Sequence, residues 1–340
     1  MPPSFAELAP EEQAARLHAL ARYAVALWPL QVVRIEPLKV RENAVYAVHT
    51  SSGQRAVLRV HRLGYHRDAA LESEFTWLQA LAAAGVEVPH PIRSRRGRSF
   101  ELIEFAGVPG PRQVDVLEWI EGEQLGAIGQ SLGRDSDWVE QVYGLIGEVA
   151  AAMHNQACAW RIPAHFERHA WDVEALVGEQ PLWGRFWDLE ALTHTQREFF
   201  LQLRARLRGE LLSYGTSAQC FGLIHADLVP ENILVAGAAP RIIDFDDAGF
   251  GWHMFELATT LYFIRHEPFY PLARDALIAG YRRCRPLDEQ HLRLLPLFLA
   301  ARGTTYLGWV HTRRGEAVAR ELTPQLIELA LAAGEEYLAH

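Results

Sequence analysis

Residues 221–235 read FGLIHADLVPENILV, and this segment is the most informative of the chain. Two short apolar runs, which are typical of β-strands, flank a loop that carries His225, Asp227 and, five positions after that aspartate, Asn232. Side chains at the ends of short strands are held against a rigid layer while they stay open to a cleft. We therefore expect this loop to present a carboxylate and an amide to a ligand.

A second acidic segment follows at residues 241–247, which read RIIDFDD. Its apolar run predicts a third strand, and Asp244 stands where that run ends. Phosphoryl transfer needs a carboxylate that orients or deprotonates the attacking hydroxyl, and oxygen ligands that hold Mg²⁺ against the phosphates. Asp227 suits the first role, whereas Asn232 and Asp244 suit the second. Each feature alone also fits an ordinary turn, but their order and spacing together favour the catalytic interpretation.

These residues carry a family resemblance. His225, Asp227 and Asn232, followed by IDF at residues 243–245, resemble the signature of the aminoglycoside phosphotransferase and choline kinase superfamily. The segment IIDFDDAGFG leading into FELA is similar to phosphotransferases grouped with bacterial homoserine-kinase-like and stress-response kinases. The resemblance implies an α+β, bilobal, protein-kinase-like fold with a small antiparallel-sheet N-lobe and a larger, mainly helical C-lobe. It also implies ATP and Mg²⁺ as cofactors.

The resemblance assigns a role to each matching residue of the C-lobe. It makes Asp227 the catalytic base, and it makes Asn232 and Asp244 the magnesium ligands. It makes His225 a structural support of the catalytic loop rather than a catalytic residue. Asp246 is a further candidate for contact with the metal or the substrate.

Residues 116–122, VLEWIEG, resemble the hinge between the two lobes. The resemblance implies that the carbonyl of Glu118 and the amide of Ile120 face adenine, with Leu117 as the gatekeeper. Because two of these contacts come from the backbone, they do not depend on which side chains stand there.

The N-lobe departs from the family pattern on the strand that usually carries a phosphate-binding lysine. That position is Arg59, within VLRV at residues 57–60, and its helix partner is best matched by Glu74. Arginine can bridge phosphate and carboxylate through its planar fork, but its reach and hydration differ from those of lysine. An ordinary surface ion pair is the alternative reading.

The loop that would cover the phosphates, residues 38–44, contains no glycine. Backbone amides can still face phosphates there, because Asn43 tolerates a positive φ. Lys39 and Arg41 would add positive charge. We therefore expect Asn43 to take part in nucleotide binding.

The rest of the chain fits this organisation. Strand patterns precede and follow a helical stretch at 69–84, which should stop at Gly85. Beyond Gly122 helical patterns dominate, including a helix that should begin with Thr323 as N-cap and Pro324 at the first helical position. We predict an N-lobe at residues 1–117 that covers the nucleotide and a hinge at residues 118–122. The C-lobe, residues 123–340, should carry the catalytic loop, the metal site and the acceptor pocket.

Composition excludes several other classes of protein. The formal net charge of −9 argues against nucleic-acid binding, which needs a clustered positive field. The three cysteines, Cys158, Cys220 and Cys284, have neither disulfide nor zinc-site spacing, so we expect them to be buried as small apolar residues. No signal peptide or apolar run of membrane-spanning length is evident, which favours the cytoplasm and no membrane partner.

The leading hypothesis is an ATP-dependent phosphotransferase that acts on a hydroxyl group of a small, amine-bearing molecule. Homoserine, an amino alcohol, an aminoglycoside or an amine-bearing sugar would fit. One alternative is a Ser/Thr protein kinase of the stress-response type, although the sequence shows no activation segment anchored by Ala-Pro-Glu. Another is a nucleotide-binding regulator without catalysis, suggested by Arg59 and the glycine-free loop. The sequence does not indicate the oligomeric state.

Overall fold

The structure is a computed structural model that describes residues 5, 8–40, 43–126 and 135–339. These residues form two compact units. The first unit contains the chain up to Glu121 together with Ile162–Glu167, and the second contains Gly122–Arg161 together with the chain from Arg168 onward. The functional division into lobes and hinge stays a prediction.

The first unit combines an antiparallel sheet with two helices. The strands pair in the order β1-β2-β3-β5-β4. The elements are α1 (Pro10–Ala24), β1 (Val32–Val40), β2 (Ala44–Thr50), β3 (Arg55–Val60), α2 (Asp68–Ala83), β4 (Phe100–Ile103) and β5 (Arg112–Glu118).

The core of the first unit lies between α1 and one face of the sheet. Tyr46 and Val48 on β2 and Leu58 on β3 alternate with residues of the other face, as the period of two in a strand requires. Leu20 and Ala24 of α1 belong to the same buried cluster, because they lie four positions apart on one face of the helix.

The predicted helix at 69–84 is confirmed as α2, which spans Asp68–Ala83. Gly85 follows with φ of +85°, a conformation that residues with a Cβ adopt only under strain. This helix carries Glu74 on its buried face.

The second unit is mainly helical and holds two small sheets. Those sheets have the strand orders β10-β9-β6 and β7-β11-β8. The elements are β6 (Glu123–Gln124), α3 (Ser136–Ala159), β7 (Ala170–Trp171), α4 (Val173–Val177), α5 (His194–Tyr214), β8 (Phe221–Ile224), β9 (Ile233–Ala236), β10 (Ala239–Ile242), β11 (Gly249–Trp252), α6 (His253–Tyr262), α7 (Tyr270–Cys284), α8 (Glu289–Leu292), α9 (Leu295–Thr312) and α10 (Ala317–Leu338).

Close helix packing builds the core of this unit. Helix α3 packs against α7, and α9 packs against both α10 and α6. A Cβ at Gly280 would lie 1.8 Å from the carbonyl oxygen of Gly144, so glycine is required where α7 crosses α3. Almost every residue of α9 is buried, which makes this helix the centre of the second unit.

The predicted start of the last helix is wrong. Helix α10 begins at Ala317, so Thr323 and Pro324 lie inside it. Thr323 donates its hydroxyl to the carbonyl of Ala319 at 2.6 Å, where an N-cap would instead accept from the following backbone. Ala319 is fully buried and α10 packs against α9, so tertiary packing stabilises the turn that precedes the proline.

The expected burial of the cysteines is also partly wrong. Cys220 is buried, but Cys158 and Cys284 are exposed, and all three are free thiols. Cys158 lies in the last turn of α3 and Cys284 ends α7, where the helices leave the packed core. Among the described residues no helix is both long and apolar enough to cross a membrane.

The predicted fold class is confirmed. An antiparallel sheet occupies the N-terminal part of the chain, and helices form most of the remainder.

Candidate active site

The loop after β8 has an unusual backbone that one buried side chain holds in place. Ala226 has φ of +66°, which is unfavourable for a residue with a Cβ. Glu256 of α6 accepts hydrogen bonds from the backbone N–H of His225 at 2.7 Å and of Ala226 at 2.8 Å. The carboxylate therefore stabilises the turn that presents the next residue, Asp227.

His225 joins this loop to the segment that contains Asp244. Its Nδ1 accepts from the backbone N–H of Asp227 at 3.2 Å, so Nε2 carries the proton and donates to the carbonyl of Ile243 at 3.0 Å. Burial lowers the pKa of His225, although Glu256 acts in the opposite direction. A neutral, fully buried imidazole thus fixes the two loops next to each other.

Asp227 and Asn232, predicted to act together, are in direct contact. The side-chain Nδ2 of Asn232 donates to Oδ2 of Asp227 at 2.8 Å and to its backbone carbonyl at 3.0 Å. The Oδ2 atom and the backbone carbonyl oxygen of Asp227 both accept hydrogen bonds, so the side-chain atom of Asn232 that faces them is the amide nitrogen. Both amide protons are committed to Asp227, and the amide oxygen is the atom that remains to face a cation.

The second oxygen of Asp227 has a partner that sequence reasoning missed. Arg302 of α9 donates from Nη2 to Oδ1 of Asp227 at 2.5 Å. Arg302 is completely buried, whereas the side chain of Asp227 keeps 21% of its surface exposed. The carboxylate of Asp227 is therefore bound on its buried side by Arg302 and remains accessible to solvent on the other side.

Asp244 follows β10 and is the second described residue with a Cβ at positive φ, at +67°. The residue before it, Ile243, donates its backbone N–H to the carbonyl of Asn232 at 3.0 Å. This bond places the two predicted metal ligands on adjoining segments. Non-glycine residues at positive φ cost free energy and are concentrated at functional sites.

The segment at Arg168–Trp171 holds the acidic loop in shape. Arg168 donates to three carbonyls of this loop, that of Ala248 at 2.5 Å, that of Phe245 at 3.3 Å and that of Asp246. His169 and Trp171 both donate to the carbonyl of Asp247, at 3.1 and 2.9 Å. The loop that carries the candidate Asp246 is thereby fixed through its backbone, and the Asp246 side chain is buried.

Behind Glu256 lies a cluster of buried histidines. Nδ1 of His154 lies 2.8 Å from the hydroxyl of Tyr281, and its ring stacks on that of His253 with 4.3 Å between ring centroids. Burial lowers the pKa of His154 to about 3 and that of His253 to about 2. Burial also raises the pKa of Glu256, against the effect of His225 and the two N–H groups that it accepts. This cluster supports the loop and does not reach its exposed edge.

In the first unit, Arg59 and Glu74 form the predicted pair, with Nη2 and Oε1 2.9 Å apart. The surface alternative is wrong, because both side chains are buried. Asp115 of β5, which sequence reasoning missed, lies opposite Arg59 and accepts from its Nε at 3.0 Å and 3.2 Å. His61 Nε2 lies 2.5 Å from the same carboxylate. Burial would raise the pKa of Asp115, but Arg59 and His61 outweigh it and the pKa is lowered.

The remaining predicted nucleotide contacts lie at the end of β5 and before β2. Leu117 is buried, and Glu118 donates its N–H to the carbonyl of His90 at 2.8 Å. Ile120 follows the strand and is half-buried. The side-chain Oδ1 of Asn43 accepts from the N–H of Arg62 at 3.3 Å. Arg41 of the predicted phosphate loop lies outside the described residues.

The described residues contain no group of three or more His, Cys, Asp or Glu side chains that could hold a metal ion by itself. Asn232 and Asp244, the metal ligands that the sequence predicts, both carry side-chain oxygens and lie on adjoining segments. Mg²⁺ bound with a nucleotide ordinarily takes one or two protein oxygens, and phosphate oxygens and waters complete its shell.

The functional residues that were not predicted from the sequence are each a single charged residue within a mainly apolar segment, which is a weak indication of function. Glu256 stands alone among apolar residues in FELA, and Asp115 stands in an otherwise buried strand. A charged residue in such a run implies a buried partner, but the sequence does not say which. Arg302 carries a similar signal within LFLAARGTTYL of α9.

Comparison with known proteins identifies the family of this chain. The family model described as "Phosphotransferase enzyme family" matches residues 34–295. The amicoumacin kinase of Bacillus subtilis (strain 168) is 26% identical, over 79% of this chain and 77% of its own length.

Two solved structures resemble the chain over nearly its whole length. A microcompartment-associated aminopropanol kinase is 30% identical with a TM-score of 0.81, over 95% of this chain and 98% of that one. The amicoumacin kinase hAmiN, solved with AMP-PNP, Ca²⁺ and Ami, is 22% identical with a TM-score of 0.76, over 96% of both chains, and supports the fold alone. The predicted kinase-like fold is confirmed by these likenesses. The chain belongs to the phosphotransferase enzyme family, as its motifs predicted, and it is a phosphotransferase with a hydroxyl acceptor.

Proposed function

We propose that this enzyme transfers the γ-phosphoryl group of ATP, in the presence of Mg²⁺, to a hydroxyl of a small, amine-bearing molecule. The observation that carries the proposal is the fixed carboxylate of Asp227, which has one oxygen bound by Asn232 and the other by Arg302. Family membership supports a nucleotide and a divalent cation as cofactors, and the structure of hAmiN, which shares the fold, was solved with AMP-PNP and Ca²⁺.

In the proposed reaction the acceptor oxygen forms a bond to the γ-phosphorus while the bond from that phosphorus to the bridging oxygen of ADP breaks. The proton of the hydroxyl passes to Asp227, and ADP leaves with the electrons of the broken bond. Such a reaction depends mainly on positioning and on charge stabilisation, because the transition state involves little covalent chemistry by the protein. A carboxylate held at both oxygens suits that requirement.

Asn232 and Asp244 would hold the metal. The amide of Asn232 presents its oxygen because both of its protons bind Asp227, and Asp244 offers a carboxylate on the adjoining segment. These are the hard oxygen donors that Mg²⁺ prefers. When bound, the ion would neutralise charge on the phosphates. Asp246 is the further candidate for contact with metal or substrate.

The nucleotide contacts proposed in the first unit are Arg59, Glu74, Asn43, Leu117, Glu118 and Ile120. Arg59 is held by Glu74 on one side and by Asp115 on the other, which fixes the guanidinium. We propose that this arrangement substitutes for the usual lysine in binding phosphate. The Glu118 carbonyl and the Ile120 amide would bind adenine.

An amine-bearing acceptor is favoured by the acidic character of the loop at Asp244, Asp246 and Asp247. A cationic amine is attracted to such a field, although the field does not choose among amines. The structural likeness to an aminopropanol kinase supports an amino alcohol as the first class to test. Homoserine, aminoglycosides and amine-bearing sugars are the other candidates.

The test is ATP turnover with purified protein and Mg²⁺ against a panel of amino alcohols, homoserine, aminoglycosides, amine sugars and generic protein substrates. We expect one class of small molecule to stimulate turnover and Asp227→Asn to lower kcat by about 10²–10⁴-fold. Asp275→Asn is the matched control, because Asp275 is exposed on α7 and pairs with its neighbour Arg274. Stimulation by protein substrates alone would support a protein kinase instead. Nucleotide binding without turnover on any acceptor would favour a regulator.

A further inference from the structure

Arg302 is a fully buried charged residue next to the candidate active site. It lies in the middle of α9 and has no exposed surface. Its Nη2 donates to Oδ1 of Asp227 at 2.5 Å and to the hydroxyl of Tyr306, one turn along the helix, at 2.6 Å. These two bonds use both protons of that nitrogen. The direction of the guanidinium is therefore fixed relative to Asp227.

Aromatic rings surround the rest of this guanidinium. Its Cζ lies 4.4 Å from the ring centre of Tyr306, 5.1 Å from that of Trp183 and 5.6 Å from that of Phe255. Ring faces attract a desolvated cation, and the energy is larger here than at an exposed site. Burial alone would lower the pKa of Arg302, but Tyr306 and Asp227 raise it. The guanidinium is therefore charged.

A glycine in α9 allows the segment that carries Trp183 to lie close to this helix. A Cβ at Gly308 would lie 2.5 Å from the carbonyl oxygen of Gly184 and 3.2 Å from that of Trp183. Only glycine at this position of α9 lets the Trp183 segment approach the helix so closely. The aromatic enclosure of Arg302 thus depends on a specific close contact between two segments.

A structural role alone does not explain this arrangement. Buried ion pairs contribute little net stability, and apolar side chains of similar size often serve as well. A structural arginine would also be expected to pair with a buried carboxylate, yet Arg302 pairs with Asp227 of the catalytic motif, whose side chain keeps 21% of its surface exposed. Arg302, whose burial costs free energy, therefore binds Asp227, the side chain whose orientation matters for the proposed reaction.

We propose that Arg302 is a positioning residue that fixes Asp227 for the acceptor hydroxyl. This inference rests on the role proposed above for Asp227. Arg302 and Asn232 hold one oxygen each, so the plane of the carboxylate cannot rotate. Each oxygen retains a second lone pair, and the exposed edge of Asp227 offers one of them to the hydroxyl. Arg302 acts through Asp227 and does not contact the acceptor, because it has no accessible surface.

The test is a double-mutant cycle of Arg302→Met with Asp227→Asn, measured as kcat and KM for the acceptor with radiolabelled ATP. We expect Arg302→Met alone to lower kcat by about 10–100-fold, since small misplacement of a catalytic group costs about that much. The acceptor KM and the nucleotide Kd should change by less than about twofold, because neither ligand touches Arg302. In the Asp227→Asn background the same substitution should cause no further loss of kcat.

Two further variants keep the test valid if Arg302→Met folds poorly. Tyr306→Phe keeps the ring but removes the hydroxyl that anchors Nη2, so we expect a smaller fall in kcat that is again absent in the Asp227→Asn background. Arg204→Met is the matched control, because Arg204 also binds a carboxylate, that of Glu179, and stacks on the ring of Trp187 at 4.0 Å. Its kcat should match that of the unchanged enzyme.

The inference is overturned if Arg302→Met and Tyr306→Phe lower kcat by the same factors in both backgrounds, because Arg302 would then act independently of Asp227. It is equally overturned if both leave kcat unchanged, or if they raise the acceptor KM alone. If the proposed role of Asp227 is itself wrong, a different result is expected: the Asp227→Asn enzyme would turn over as fast as the unchanged enzyme.

Discussion

Each unit of this protein holds a buried arginine bound to carboxylates, and the two clusters differ in which group is exposed. In the first unit Arg59 binds Glu74 and Asp115, and none of the three side chains is more than 5% exposed. In the second unit Arg302 is fully buried, but its partner Asp227 keeps a fifth of its surface in contact with solvent. The same chemical pairing therefore serves two different purposes.

The charges of a closed cluster must neutralise one another in a medium that solvates them poorly, so removing one of them destabilises the fold. A cluster with one exposed carboxylate can pass its orientation on to a ligand. The difference teaches that the exposed member, and not the presence of an ion pair, is the group available to a ligand. The two units should therefore differ in stability and in their response to acid, and the candidate site should show effects of metal binding and of backbone strain.

The largest difference should come from removing each arginine. Arg59→Met leaves two buried carboxylates without their cation, which should cost about 3–5 kcal/mol of unfolding free energy. Arg302→Met leaves a carboxylate that water can reach, so we expect about 1–3 kcal/mol. Urea unfolding, with hydrogen exchange assigning the loss to peptides of each unit, measures both.

Arg55→Met is the control for the first unit, because Arg55 pairs with Glu121 on the surface at 2.5 Å. Its cost should stay below about 1 kcal/mol. Equal costs for Arg55→Met and Arg59→Met would contradict the view that the Arg59 cluster is closed and stabilising.

Acid should weaken the second unit before the first. Burial lowers the pKa of His154, His225 and His253, so the unfolded chain binds protons below about pH 6.5 that the folded chain does not. Stability should therefore fall as the pH falls, by about 1.4 kcal/mol per pH unit for each of His154 and His253, while the raised pKa of Glu256 opposes part of this loss. Asp115 has a lowered pKa, and its contribution is lost only below about pH 4.

Hydrogen exchange of each unit, corrected for the intrinsic effect of pH, measures this difference between about pH 6.5 and 4. His154→Gln keeps a polar group near Tyr281 but does not titrate, so the slope for the second unit should fall by about 1.4 kcal/mol per pH unit. A second unit whose stability does not change over this range would show that the histidine cluster is not neutral.

Asp244→Ala should separate metal binding from nucleotide binding. The substitution removes one hard oxygen ligand, so the Kd for Mg²⁺-ATP should rise by more than about tenfold, while the Kd for metal-free ATP should change little. Isothermal titration with and without Mg²⁺ measures both constants. Equal weakening of both would remove Asp244 from the metal site. Asp275→Asn should leave both constants unchanged.

The smallest effect concerns backbone strain at Ala226. Ala226→Gly relieves a positive φ of +66°, but glycine also gains entropy in the unfolded chain, so the net gain should be at most about 1 kcal/mol. Ala248→Gly is the control, because Ala248 is buried and is not among the residues with positive φ. It should destabilise the protein by about 1 kcal/mol. Similar losses for both variants would show that the turn at Ala226 stores no strain.

The sequence predicted the parts of the site that are local in the chain. Asp227 and Asn232 lie on one loop, so their spacing alone indicates contact, and the structure has them hydrogen-bonded. The pairing of Arg59 with Glu74 followed from family likeness and forms as an ion pair. Apolar periodicity also predicted β2, β3, β4 and β5 and the helix α2, because periodicity reflects burial directly, whereas β1 was not predicted and takes in residues 38–40 of the predicted phosphate loop.

What the sequence missed depends on packing between distant segments. Arg302 is separated from Asp227 by 75 positions, and only the placement of α9 brings them together. Asp115 faces Arg59 through the register of β3 and β5, which single-sequence patterns do not fix. Pro324 resembled a helix start, but the buried turn at Ala319 extends α10 beyond it.

The most direct test of the central claim is ³¹P NMR of the products formed from ATP, Mg²⁺ and the acceptor that stimulates turnover. The account predicts ADP together with an equal amount of a phosphomonoester of the acceptor, and neither product at a comparable rate from Asp227→Asn. Release of inorganic phosphate without a phosphorylated acceptor, or an unchanged rate in Asp227→Asn, would contradict it.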